Sequence, residues 1–534
     1  MAIVNFKNIF TSGLDQDALT TATFGDHILN FGGLTTTGDL ANGIFAAADS
    51  VLLQNFGVIE TSGQSAVGIF AQGNDAHLVN HGTIITHGDY DGVDDFAAEG
   101  MLAEGDRFYI VNDGNIHVDG LFASALEGFG DNGVLINAGH IDSASDGSAI
   151  FFAGGDGSQA INTGQVTASG EDVAAMIVSG EGDAALNRGS LVITGDGAWG
   201  MEAQGGENHH LTNQGVIKIA GDFGYGMLDL GGEAQISNFG AIEMHGTHAI
   251  AIEAIGSHRL PAGEHINIVN GGHISTTGDL SIGIALGLTV VPPGTATDSS
   301  IVNSGTIATH GDGAAGVLMF GNDNHLTNSG SILTNGAAAD EGGAGLLTAA
   351  GVLVSGDDAL LLNTRTGSIE SKSAASAAVE LNVVEQSGMP AADTSSTLDN
   401  SGFIKAPAVA VLGGAGQETV VNHGYIVGDV VLGDGADTFV FGKGGTLAGN
   451  LFLGGGDDLV RIEKGSGTAY IADFVAGAAS NDVIDVANFF SSFADLTAHS
   501  HQSGNDVVIN LDHHDQLILA GVHLNALNAG DFIV

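Results

Sequence analysis

Short alternations of apolar and polar residues, four or five long and cut by Asn and Gly, run along most of the chain. Leu78 to Gly88 shows the pattern, reading Leu-Val-Asn-His-Gly-Thr-Ile-Ile-Thr-His-Gly. A period of two predicts β-strands, and the Asn and Gly positions predict turns between them. The motif apolar-x-Asn-x-Gly-x-apolar recurs with its Asn at 5, 30, 55, 80, 112, 137, 162, 187, 213, 238, 270, 303, 328, 363, 400 and 422. Eight of the fifteen gaps are 25 residues and a ninth is 26. Two copies are degenerate: Asn5 is followed by Phe6 and Lys7, and Asn363 reaches its glycine only at Gly367. Such fixed self-similarity predicts a solenoid, propeller or array. A propeller blade needs four strands, and a helical repeat needs a 3.6-residue period; neither fits. Twenty-five residues hold three strands and three turns, which is one coil of a β-helix whose neighbours pair through parallel strands. The expected fold is all-β, a parallel β-helix (β-solenoid) of about 16 coils over residues 1–427.

Reading down the repeat gives columns. Four residues after each Asn stands an aliphatic such as Leu34, Ile59, Ile84, Ile116 or Ile141, an inward core ladder. The Asn column itself is expected to adopt left-handed turn geometry and to bond amide to amide between coils, with the following Gly relieving a Cβ clash. Nine residues after Asn come Asp39, Asp89, Asp146, Glu171, Asp196, Asp222, Asp279 and Asp312, usually right after a Gly. Gly-Asp makes a good turn; the alternative is a vertical carboxylate row that takes up divalent cations at the surface. Longer coils carry insertions at roughly 89–110, 246–268, 286–300, 337–360 and 370–398, with Pro292-Pro293 and Met389-Pro390 the expected protrusions.

Charge changes the picture of partners. Sixty-two Asp and Glu face eleven Lys and Arg, for a net charge of −51. The cations are scattered singly, so a phosphate backbone finds no basic patch and nucleic acid is excluded as a partner. Self-repulsion on this scale opposes compaction unless cations neutralise it. No cysteine is present, so there are no disulfides or thiolate metal sites. Residues 1–20 lack a basic region followed by an apolar run, and no stretch approaches 18 apolar residues. Neither a cleaved signal peptide nor a transmembrane helix is expected.

From about Gly428 the period changes. Leu432-Gly433-Asp434-Gly435-Ala436-Asp437-Thr438-Phe439-Val440 fits the nonapeptide G-G-x-G-x-D-x-U-x except at its first glycine. Leu453-Gly454-Gly455-Gly456-Asp457-Asp458-Leu459-Val460-Arg461 repeats it 21 residues on. Glycines bend such a loop so that carbonyls and an Asp carboxylate surround a hard cation. The pair resembles the RTX family of calcium-binding repeats. The resemblance implies Ca²⁺ at Gly433, Asp434, Gly435, Asp437, Gly454, Gly456, Asp457 and Asp458, against a purely turn-forming role. The same spacing also occurs in autotransporter-like solenoids. Ile471-Ala472-Asp473-Phe474, Asp482-Val483-Ile484-Asp485, Gly504 to Ile509 and the terminal Asp531-Phe532-Ile533-Val534 resemble the C-terminal region of type I-secreted RTX proteins. That resemblance implies an uncleaved export signal, the type I secretion machinery as a partner, and calcium-driven folding outside the cell. The organisation expected is a solenoid over 1–427, RTX-like coils over 428–465 and a secretion or capping region over 466–534.

Many β-helices modify polysaccharides. A groove for anionic sugar needs clustered Arg or Lys and a base, whereas here the cations are isolated and no HExxH or GxSxG motif occurs. His209-His210, His513-His514 and His499 with His501 read as exposed polar residues. Thr36, Thr61 and Thr86 align six after Asn, which raises ice binding, but the column breaks at Val118. The expectation is a secreted, non-enzymatic structural protein of a surface layer, fibre or biofilm matrix, or an adhesin. It would self-associate through calcium and possess affinity for cell-surface or matrix polysaccharide. A polysaccharide lyase or epimerase is the alternative.

Overall fold

The computed structural model describes residues 2–90, 97–255, 263–287, 296–340, 346–382, 394–477 and 481–534. Pro292-Pro293 and Met389-Pro390 lie outside them. The chain forms an all-β parallel β-helix and divides into two compact units, Met1–Ser257 with Gly272–Ser275, and His258–Gly271 with Thr276–Val534.

In the first unit each coil contributes three strands, as in His77–Asn80, Thr83–Thr86 and Met101–Glu104. Each pairs in parallel with its counterpart one coil on, in the registers Asn80↔Asn112, Ile84↔Ile116 and Met101↔Leu126. The alternation sets the faces. Leu78, Ile84, Met101 and Ala103 point inward and are fully buried, while His77 and Asn115 face solvent. Burial of each such aliphatic contributes about 1.5–3 kcal/mol, and stacking like on like continues the core from coil to coil.

The Asn ladder is present, with a different backbone from the one expected. Each Asn ends an extended strand instead of occupying a left-handed turn, and the left-handed residues fall elsewhere, as at Leu40, Ser65, Phe122 and Phe223. The side chains bond coil to coil from Asn5 to Asn30 (2.8 Å), Asn30 to Asn55 (2.9 Å) and onward to Asn238. The following glycine serves close approach: a Cβ on Gly82 would overlap the Gly57 carbonyl oxygen of the preceding coil.

In the second unit a like ladder runs from Asn270 through Asn303, Asn328, Asn363 and Asn400 to Asn422. Phe441 then takes the Asn position, and Asn422 turns its amide to the Thr446 carbonyl. Pairing does not stop there. Gln417–Asn422, Thr438–Phe441, Leu459–Ile462 and Val483–Asp485 continue one parallel column through the region of changed period. Beyond it Ser500–Ser503, Asp506–Asn510 and Gln516–Leu519 form an antiparallel meander, whose last strand also pairs with Thr468–Ile471. A short helix, Phe493–Ala498, precedes it, capped by Ser492, whose hydroxyl accepts the Asp495 amide at 3.2 Å.

Candidate functional site

The first strand column of the second unit carries acids at one inward position, within the strand Gln417–Asn422 and just before the next three. Parallel pairing in register stacks Glu418, Asp437, Asp458 and Asp482 above one another. One carboxylate oxygen of each caps the coil before it. Asp437 Oδ1 accepts the Glu418 amide at 2.8 Å, Asp458 Oδ1 the Asp437 amide at 2.9 Å, and Asp482 Oδ1 the Asp458 amide at 3.2 Å. Asp437 is 1 % exposed and Asp458 2 %. Of the second oxygens, Asp458 Oδ2 is buried without a hydrogen-bond partner, while those of the buried Glu418 and Asp437 have only each other's carboxyl, a contact that forms a hydrogen bond when one of the two holds a proton.

Burial dominates their titration. It raises Asp458 to about 7, with neighbouring Asp437, Asp482 and Asp473 adding to the shift. Burial likewise lifts Glu418 and Asp437, and the negative charge of Asp437 pushes Glu418 further up. Buried acids in this state hold protons or take a cation.

The glycines complete the geometry. Gly433, Gly435, Gly454 and Gly456 all have positive φ, and a Cβ on Gly456 would overlap the Gly435 carbonyl oxygen. The coils approach closely beside the carboxylate column: a Cβ on Gly435 would meet both the Gly416 carbonyl oxygen and Asp437 Oδ1. Calcium takes six to eight oxygens from carboxylates and carbonyls; the buried carboxylate oxygens of the column are ligands of that type. Among the described residues no three His, Asp or Glu converge on one point. An ion here would lie between coils on stacked carboxylates and backbone. Asp434 and Asp457 stand apart: both side chains are exposed, and Asp457 accepts the Asn481 amide at 2.9 Å.

The surface row is also placed. Asp39, Asp89, Asp146, Asp196, Asp222, Asp279 and Asp312 each accept a backbone amide of the following coil, at 2.7–3.0 Å. Glu171 donates its amide to Asp146 within the same row. One oxygen of each Asp thus holds a turn, and all but the half-buried Asp222 are exposed.

Residues 2–167 match the family described as the BigA third pectate lyase-like domain. The match spans under a third of the chain and agrees with the β-helix seen there. It takes in Asp39, Asp89 and Asp146 and none of the carboxylate column. No curated protein and no solved structure matches the chain.

Three features escaped the sequence reading. Gly413-Gly414-Ala415-Gly416-Gln417-Glu418 is a further nonapeptide start with Glu in place of Asp, and the register aligns it with Leu432 to Asp437. Asp49, Asp106, Asp131 and Asp156 form a second capping row, each accepting an amide of the next coil. His209 is a correction: it is fully buried, not exposed, with Nδ1 2.7 Å from Asp229 Oδ1 and Nε2 3.0 Å from the Gly180 carbonyl. Desolvation opposes its charge, but Asp229 outweighs that and raises the imidazole. The aligned Thr36, Thr61 and Thr86 are inward and fully buried, so they offer no face to ice.

Proposed function

We propose that this chain is a secreted, non-enzymatic structural protein of the bacterial cell surface or extracellular matrix, which takes up calcium in its C-terminal coils and self-associates. The column Glu418–Asp437–Asp458, buried acids stacked with no basic partner of their own among the described residues, carries the calcium reading. The RTX resemblance of residues 428–534 supports export by a type I system. The likeness of residues 2–167 to a pectate lyase-like domain of BigA supports a surface role.

That same description favours a second reading, a polysaccharide-modifying enzyme. Against it stands the use of the cations. Arg107 forms a two-point pair with Asp75 at 2.7 and 2.9 Å, Lys218 lies 3.5 Å from Glu243, and Arg461 3.1 Å from Asp485. These pairs lie in separate coils, and where two cations do meet, Lys372 and Lys405, both are engaged by Glu370; cations so committed do not assemble a uronate-binding groove.

The test is a calcium titration of the chelator-treated full chain, followed by circular dichroism and light scattering. Added β-structure together with ordered assemblies at millimolar calcium supports the proposal. Calcium-independent folding without assembly, or turnover of a polysaccharide by the purified chain, overturns it.

A further inference from the structure

A cleft of about 360 Å³ opens in the first unit, well separated in sequence from the carboxylate column. Tyr90, Phe122 and Phe152 line it together with Glu99, Ser124 and Glu127. Alternation along Leu126–Phe129 buries Leu126 in the core and turns Glu127 outward into the cleft. Glu99 sits beside it, one coil earlier, just before the strand Met101–Glu104.

Glu99 is 2 % exposed. Its Oε1 accepts the Ala97 amide at 2.6 Å, while its buried Oε2 has no donor among the described residues and meets only the Glu127 carboxyl, with which it can share a proton. Desolvation raises both carboxyls, with the Glu127 charge adding to the shift of Glu99, and brings Glu127 to about 7. No Lys or Arg lines the cleft among the described residues. Two adjoining acids therefore face a cavity without a counter-charge from the chain.

The walls narrow the choice of ligand. Tyr90 and Phe122 meet edge to face with centroids 6.2 Å apart, and Phe152 stands on the next coil. Ring faces attract cations, most strongly where water is excluded. Bare calcium needs six to eight oxygens and makes no use of rings. A neutral sugar stacks on rings and its hydroxyls can donate to the acids, but it brings no charge to offset them. An organic ammonium ion satisfies acids and rings together.

We infer that this cleft binds a primary ammonium carried on an alkyl or sugar skeleton, with Glu99 and Glu127 as its counter-ions and Tyr90, Phe122 and Phe152 as its walls. The site is independent of the calcium column, so either can fail alone.

Calorimetric titration of the full chain at pH 7 tests this, with n-butylammonium and glucosamine as probes and n-butanol and N-acetylglucosamine as their neutral counterparts. The two amines separate an alkyl from a sugar skeleton. Saturable one-to-one binding of at least one amine is expected, at least tenfold tighter than its neutral counterpart. Glu127→Gln, nearly isosteric, weakens it at least tenfold, and Phe122→Ala several-fold. General attraction of cations to an acidic chain would survive both substitutions, and that result overturns the site. Equal binding of neutral and charged probes, or stoichiometric displacement of butylammonium by calcium, overturns it as well.

Discussion

Asn137 donates to Asn162 at 2.9 Å, accepts from Asn112 at 2.8 Å and also accepts the Gly139 amide at 3.2 Å, all without solvent contact. Replacing it by Ala removes a partner from each neighbour, leaving Asn112 the long bond to the Gly114 carbonyl and Asn162 the Gly164 amide, and each buried group so weakened costs about 1–3 kcal/mol. We expect Asn137→Ala to destabilise the first unit by about 2–4 kcal/mol, read as a lower denaturant midpoint. No change would show that the ladder contributes only geometry. Asp458 is the opposite case, a buried group whose charge is uncompensated. Asn at that position keeps the oxygen that accepts the Asp437 amide at 2.9 Å and removes the ionisation. Without calcium at pH 8, Asp458→Asn should melt a few degrees above the wild type, and the calcium-induced rise in melting temperature should fall by half or more. An undiminished rise would remove Asp458 from the calcium site.

At the scale of the coil, the turn after each Asn is set by contact between successive coils, not by φ. Gly82 lies against the Gly57 carbonyl oxygen, and the same contact recurs at Gly57 against Gly32 and at Gly114 against Gly82. Gly82→Ala should therefore push two coils apart and cost more than an ordinary Gly-to-Ala change in a compatible turn, about 2–4 kcal/mol. Hydrogen exchange of the Thr83–Thr86 strand, faster in the variant, is the readout. Much at this scale was legible: the Asn spacing gave the coil, its three strands and the inward column at Leu34 and Ile59. The parts that were not legible have physical reasons. His209 and His210 look alike in sequence, yet alternation buries the first and exposes the second. The partner Asp229 lies 20 residues on, off the 25-residue period. Glu418 was hidden because its nonapeptide begins before the period changes and carries Glu where Asp was sought. Asp434 and Asp457 belong to the same motif as Asp437 and Asp458, but the motif leaves the first pair exposed and buries the second, a difference the spacing alone does not reveal.

For the molecule as a whole, raised acids and net charge act together. Burial lifts Asp183 and Glu202 to about 6 and Glu127, Glu253 and Asp458 to about 7. Each folded-state value exceeds the unfolded one, near 4. In the range between the two values the folded chain binds more protons than the unfolded chain, so each group's contribution is full below pH 4 and is lost as pH rises through about 6 to 7. The raised imidazole of His209 acts in the same direction. Self-repulsion from 62 acids against eleven bases grows over the same interval. In chelator the melting temperature should therefore fall between pH 5 and pH 8, by about 5–10 °C. Calcium should recover the part owed to Glu418, Asp437 and Asp458, with little effect at pH 5, where protons hold the same oxygens. Monovalent salt should recover only the long-range repulsion, which it screens over about 10 Å at 0.1 M. Scanning calorimetry across pH with chelator, calcium and matched sodium chloride separates the three contributions. Equal recovery by sodium and calcium at pH 8 would mean that screening, and no bound ion, stabilises the C-terminal coils.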